Sequence, residues 1–184
     1  EPHASGYPKI AKLLRGDGFS LAERSPLLEV GLGVREGMHV LEVAGISADR
    51  PEFAGALAGR AGETIRIVVN DTPSRDGART VFVKPISNEN TLRYREWVRT
   101  NREAVSKATN GRIGYLHLRA MVDTDMADFV RQYFPQRDKE ALIIDVRFNN
   151  GGNVSNNIAA VLKQKVVAFF NQRNLPNWSR QGEF

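Results

Sequence analysis

Cysteine is absent from the 184 residues, which excludes disulfides, thiolate zinc sites, iron–sulfur clusters and a cysteine nucleophile within this chain but does not locate its compartment. Long apolar runs are absent too. None exceeds five residues, as in Val166-Val167-Ala168-Phe169-Phe170, whereas a membrane-spanning helix needs about 20. Glu1-Pro2-His3 shows no basic segment followed by an apolar core, so no export signal is visible there. A concentrated basic patch is also missing. The net charge of +5 comes from 26 Lys and Arg against 21 Asp and Glu, with arginines dispersed among acids as in Arg93-Tyr94-Arg95-Glu96. With no reading motif beside them, these charges argue against a nucleic-acid partner. What remains is a globular composition, 41% hydrophobic and 26% charged, at a length that suits one large domain or two small ones.

The hydrophobic period changes near the middle. The first half predicts short strands over 7–14, 38–43, 64–69 and 80–86, the last two rich in β-branched residues. Asp17-Gly18, Ala44-Gly45 and the polar stretch 70–78 supply turns, and Pro51 opens a short helix over 51–58. In the second half, Ser87-Asn88-Glu89-Asn90 starts a helix carried by Leu92, Trp97, Val98, Val105 and Ala108 and stopped by Asn110-Gly111. A strand over 113–118, a helix over 124–134 and a strand over 141–146 follow. The run Ala141-Leu142-Ile143-Ile144-Asp145-Val146 reads as a strand buried on both faces. Helical spacing then resumes at Val154, Ile158, Val161, Leu162, Val166, Phe169 and Phe170, and the polar tail 171–184 has no clear period. Two strands are too few to bury Ile143 and Ile144 from both sides, so further chain or a partner is expected to complete this part.

The chemistry concentrates where that strand meets its helix, in Asp145-Val146-Arg147-Phe148-Asn149-Asn150-Gly151-Gly152-Asn153-Val154-Ser155. Glycines permit positive φ and close approach to the main chain. A helix start leaves N–H groups without internal acceptors. That arrangement suits a phosphate, a carboxylate or the oxyanion of acyl transfer, or only a tight turn that binds nothing. A P-loop would need Gly-Lys-Ser/Thr, and a dinucleotide turn a third spaced glycine; both are missing, also at Gly31-Leu32-Gly33. No Gly-x-Ser-x-Gly elbow exists. Ser155 fits a cap or solvated residue, and His3, His39 and His117 have no local partner pattern for a base or a metal. Asp145 fits a structural ion pair or a hydrogen bond to the following loop. No cofactor is expected.

Several segments resemble one family in order. Ser25-Pro26-Leu27 followed by Gly33-Val34-Arg35-Glu36-Gly37-Met38-His39-Val40-Leu41-Glu42-Val43-Ala44-Gly45 resembles the PDZ domains of bacterial and archaeal proteases, with Ala44 where asparagine is usual. Asn70-Asp71-x-Pro73-Ser74-x-x-Gly77-Ala78-Arg79-Thr80-Val81-x-Val83-Lys84-Pro85 is similar to the last PDZ hairpin of tricorn proteases, and Leu92-Arg93-Tyr94-Arg95-x-Trp97-Val98 to their linking helix. Gly111-Arg112-Ile113-Gly114-Tyr115-Leu116-His117-Leu118 and the double-glycine segment resemble the opening strands of their catalytic core.

The resemblance, over about residues 7–170, implies a tricorn-type serine peptidase related to the C-terminal processing peptidases. The implied fold is α+β / α/β: a PDZ-like small β-barrel over 1–87 with its N-terminal part missing, then an incomplete α/β, crotonase-like core over 88–184. In that family the serine nucleophile lies downstream of the double-glycine turn and the histidine base upstream of the PDZ domain, so both are expected outside this chain, and His3 lacks the family's Ser-His context. The turn supplies one oxyanion-hole N–H. Matching places it at Gly152, with Gly151 as second choice, and Asn153-Val154 as an extended stretch that aligns substrate. The PDZ carboxylate-binding loop is expected before Glu1. The chain alone should be inactive. The resemblance further implies peptide substrates, a homo-oligomeric ring and a cytoplasmic location, with no nucleic-acid or membrane partner. A non-catalytic peptide-binding or scaffold module is the competing reading.

Overall fold

Alternation along Ile65, Ile67 and Val69 turns one side of a strand inward, and this period of two organises the first part of the molecule. The structure, a computed structural model, describes residues 1–16, 24–170 and 178–182, with backbone alone at 165–170 and 178–182. The expected turn at Asp17-Gly18 lies outside the described residues. Contacts divide the chain into two units, Glu1–Arg99 and Thr100–Phe184, and the division falls inside a helix.

In the first unit, strands β1 (His39–Val43), β2 (Ile46–Ser47), β3 (Ile65–Asn70) and β4 (Arg79–Val83) form an antiparallel sheet in the order β2-β1-β3-β4. Ile67 pairs with Val81 and Ile65 with Val83, so both strands present the same face to a core shared with Val34, Met38, Val43 and Ala56. Burying each of the valine, isoleucine and methionine side chains contributes about 1.5–3 kcal/mol. Among the described residues β2 and β4 are sheet edges, so the four strands are not seen to close into the small barrel expected here. Ala44 and Gly45 join β1 to β2 with φ of 50° and 85°, the two positive values a tight hairpin needs.

Residues 7–14 do not form the expected strand. Only Lys9 bridges His39, because Pro8 has no N–H to extend a ladder. The helix expected over 51–58 is a 3-10 turn, Pro51–Gly55. Buried Glu42 is matched by the guanidinium groups of Arg66 and Arg75, as a carboxylate removed from water requires.

Helix α1 (Asn90–Ala108) crosses from the first unit into the second. Its buried Glu96 accepts the Lys12 ammonium at 2.5 Å and the Arg99 guanidinium, and Arg99 then Lys12 hold its carboxyl down to about 2 against the opposing effect of burial. The helix ends as Asn110 and Gly111 take φ of 51° and 77° and Gly111 N–H reaches back to Ser106 O at 2.7 Å.

In the second unit, β5 (Ile113–His117) and β6 (Ala141–Asp145) pair in parallel, joined by α2 (Asp123–Tyr133) and a 3-10 turn, Phe134–Gln136. Two glutamines on this connection satisfy the backbone of β5 where no further strand does. Gln136 accepts Tyr115 N–H and donates to Tyr115 O, and Gln132 does the same at His117. Leu116, Phe129, Val154 and Ile158 make the core, with Leu142 and Ile144 packed on it.

Ile143 and Val146 are half exposed, so the strand expected to be buried on both faces is covered fully on one only; on the other face Tyr115, paired with Ile143, is buried and Asn101 of α1 donates to its hydroxyl. Helix α3 (Ser155–Lys163) stops well before residue 170, and β7 (Lys165–Phe170) pairs antiparallel with β8 (Trp178–Gly182). The expected continuous helix gives way because β-branched and aromatic residues favour the pleated conformation, and β8 lies in the polar tail that shows no clear period.

Candidate functional site

The segment between β6 and α3 is anchored side chain by side chain to the end of β5. Asp145 closes β6. Its carboxylate accepts the Tyr115 hydroxyl at 2.6 Å, the Arg147 N–H at 2.9 Å and the Arg147 guanidinium at 2.6 Å. Arg147 above all, helped by Tyr115, holds this carboxyl well below the usual carboxylate range. Burial, and then the adjacent carboxylate, pushes the Tyr115 hydroxyl up. Asp145 is therefore a structural ion pair, as its place at a strand end suggests. His117, almost fully buried, bonds Arg147 O through Nε2 at 2.7 Å. It pins the loop.

Beyond Arg147 the chain turns sharply. Phe148 takes φ of 59° and is 84% exposed, an unusual conformation for a bulky residue. Asn149 donates from Nδ2 to Leu118 O and accepts the Gly151 N–H on Oδ1, both at 2.7 Å. Asn150 N–H reaches Arg119 O at 3.0 Å, Met121 N–H reaches Gly151 O at 2.8 Å, and Val154 N–H reaches Met121 O at 3.0 Å. Residues 118–121 thus run beside the turn, with Met121 and Gly152 as a parallel bridge.

The two glycines come out differently. Gly151 N–H is occupied by Asn149. Gly152 N–H has no hydrogen-bond acceptor among the described residues. Its direction follows from the peptide plane. With no cis bond in the described chain, the Gly152 N–H is anti to the Gly151 carbonyl. That carbonyl faces Met121 N–H, so the Gly152 amide faces the other way. A Cβ at Gly152 would lie 2.0 Å from Met121 O, so the approach that fixes the turn excludes every other residue there.

Of the other candidates, Asn153 is exposed beside this amide. Val154 has φ −94° and ψ 14° at the helix N-cap instead of the expected extended conformation, because its side chain is drawn into the core and its N–H is bound by Met121 O. Ser155 is exposed and the helix start has no side-chain cap. His39 Nδ1 bonds Tyr7 O at 3.2 Å. His3 meets Ser5 Oγ at 2.9 Å in an exposed local turn, and no carboxylate contacts its ring among the described residues. Among those residues no group of His, Asp and Glu is arranged to hold a metal, and no helix is long and apolar enough to cross a membrane.

Sequence reasoning missed two participants, the Asn149 side chain and the Met121 main chain. An asparagine two residues before a glycine is a local signal for the first, since Asx side chains commonly accept the N–H two positions on. Nothing local signals the second. In the first unit, a groove of about 460 Å³ is lined chiefly by Leu13, Leu14, Leu27, Ile65, Val83 and Ile86.

Residues 3–88 match the family model of the tricorn protease PDZ domain, and residues 112–181 match peptidase family S41. The tricorn protease of Thermoplasma volcanium is 33% identical over 172 residues, 93% of this chain and 16% of the relative. A tricorn protease homolog of Saccharolobus solfataricus is 34% identical over 167 residues, 90% of this chain and 15% of the relative. A crystal structure of the tricorn protease superposes with a TM-score of 0.76 at 29% identity, over 92% of this chain and 16% of that one. The chain thus spans about one sixth of the length of the proteins it matches. With both family models in that order and these relatives extending across them, the chain belongs to the tricorn-type proteases and carries their PDZ domain followed by a peptidase S41 region.

Proposed function

We propose that the chain serves a serine peptidase that hydrolyses oligopeptides by acyl transfer. It contributes a PDZ-like docking domain and one oxyanion-hole donor, the Gly152 N–H, while the serine nucleophile and histidine base sit on polypeptide outside residues 1–184. The parallel β5–β6 pair with α2 and α3 is read as the beginning of a crotonase-like core, and the apolar groove of the first unit as part of the docking surface. Subunits are proposed to assemble into a ring.

In the reaction, the serine Oγ adds to the scissile carbonyl carbon while its proton passes to the base. The carbonyl oxygen takes the negative charge and accepts the Gly152 N–H. Collapse expels the amine, which receives the proton, and water then hydrolyses the acyl ester by the same route. A donor aimed at the developing charge, held so that nothing reorganises during the reaction, is worth about 100- to 1000-fold in rate. The observation that carries the reading is the unengaged Gly152 amide, held outward in a turn whose neighbouring groups are tied down.

The test uses fluorogenic oligopeptides and a peptide boronic acid on the full-length protein. Hydrolysis blocked by the boronic acid is expected. Robust hydrolysis that the boronic acid leaves untouched, or none with any peptide, overturns the reading, the second outcome in favour of a binding or scaffold module. The 1–184 chain alone should hydrolyse nothing; activity in it would mean that it holds its own nucleophile.

A further inference from the structure

We infer that Asn149 is a positioning residue of the oxyanion turn, deciding which of the two glycine amides is presented to a substrate carbonyl. The inference rests on the reading of Gly152 N–H as the oxyanion donor. Both ends of this side-chain amide are used in the only orientation that satisfies both neighbours, since the Leu118 carbonyl needs a donor and the Gly151 N–H an acceptor. The first bond joins residues 31 apart and ties the turn to the end of β5. The second removes the Gly151 amide from competition and fixes the peptide plane before it. The next plane is fixed by Met121, which leaves the Gly152 N–H outward. Without the Asn149 Oδ1 the first plane can rotate, and a substrate carbonyl would meet two loosely held donors in place of one aimed donor.

The chemistry requires an amide. In Asn149→Asp the acceptor for Gly151 N–H survives, but an ionised oxygen faces the Leu118 carbonyl and adds negative charge beside an oxygen that must itself become negative. Protonating the introduced carboxyl restores a donor toward Leu118 and removes that charge. The titratable and charged groups set against the turn, Arg147 with Asp145, His117 on the Arg147 carbonyl and Arg119 with Asp125, are the same in every variant.

The experiment measures kcat and KM between pH 5 and 9 for the full-length protein and its Asn149→Ala and Asn149→Asp variants, with hydrogen exchange followed over residues 145–154. Asn149→Ala is expected to lower kcat about 10- to 100-fold, less than losing the donor outright, with KM little changed and exchange accelerated in the turn alone. Asn149→Asp should be at least as slow at pH 8 and recover as pH falls, a rise the wild-type profile lacks. Unchanged kcat, a kcat loss matched by loss of folded protein, or an Asn149→Asp profile parallel to wild type overturns the inference. If the wild-type protein hydrolyses no peptide, the oxyanion reading fails and exchange alone judges Asn149. Faster exchange in Asn149→Ala confined to the turn then supports its hold on Gly151, and unchanged exchange overturns it.

Discussion

Two glycine turns, one in each unit, use the same residue for opposite reasons. At Gly45 φ is 85° and nothing lies within 4 Å of the place a Cβ would occupy; glycine there eases a hairpin backbone. At Gly152 φ is 141° and the Cβ position is 2.0 Å from the Met121 carbonyl oxygen; glycine there is what lets two main chains touch. A turn of the first kind ends a strand. One of the second kind can aim an amide, because the contact that excludes a side chain also fixes the peptide plane.

The sharpest way to break this comparison is to add one methyl group at each site. Gly152→Ala should destabilise the protein by more than about 3 kcal/mol, or unfold the turn locally and abolish peptidase activity, because the overlap is with backbone and cannot be relieved by a rotamer change. Gly45→Ala should cost about 1–2 kcal/mol, the steric cost of a left-handed non-glycine residue. Denaturant titration of the two variants gives the ranking, and equal losses would mean that Gly152 is an ordinary turn glycine.

The next effect separates carboxylates from turns. The Glu96 carboxyl lies below its ordinary value of 4.5, at about 2. A folded-state value below the unfolded one contributes stability that is full above pH 4.5 and is lost as pH falls toward 2. Glu96→Gln should therefore flatten the acid limb of the stability profile in that window while leaving the effect of Gly152→Ala intact. An unaltered acid limb would mean that the Lys12 and Arg99 contacts contribute nothing in solution. The smallest effect is a gain. Ala44 holds φ of 50° in the hairpin, and asparagine tolerates that region better, so Ala44→Asn should raise stability by about 0.5–1 kcal/mol in a thermal melt.

The same contrast explains what was legible beforehand. Strands such as Ile65–Asn70 and Arg79–Val83, and helices such as Asn90–Ala108, follow from period and punctuation, because the partner surface only has to be apolar. The stretch from Val154 to Phe170 misled because its apolar residues fit helical spacing and no glycine or proline interrupts them. The chain leaves the helix at Gln164, with ψ of 132°, and its β-branched and aromatic residues complete a strand with a partner that has no apolar period of its own.

At the site, the double glycine was visible as a turn able to expose amides. The residues alone did not separate Gly151 from Gly152, and it was the resemblance that placed the donor at Gly152 with Gly151 second; which amide is left unbound depends on where Asn149 Oδ1 and Met121 N–H reach after folding. Asp145 could be read as structural from its place at a strand end. The pinning of its loop by His117, from a strand 28 residues earlier in register, could not.

The most direct test replaces single backbone amides with esters in the full-length protein, which removes one N–H and adds no atom at Cα. An ester at the Gly152 nitrogen should lower kcat about 100- to 1000-fold in a folded protein, while an ester at the Gly151 nitrogen should cost far less. Wild-type turnover with the Gly152 ester, or a larger loss at Gly151, would contradict the account.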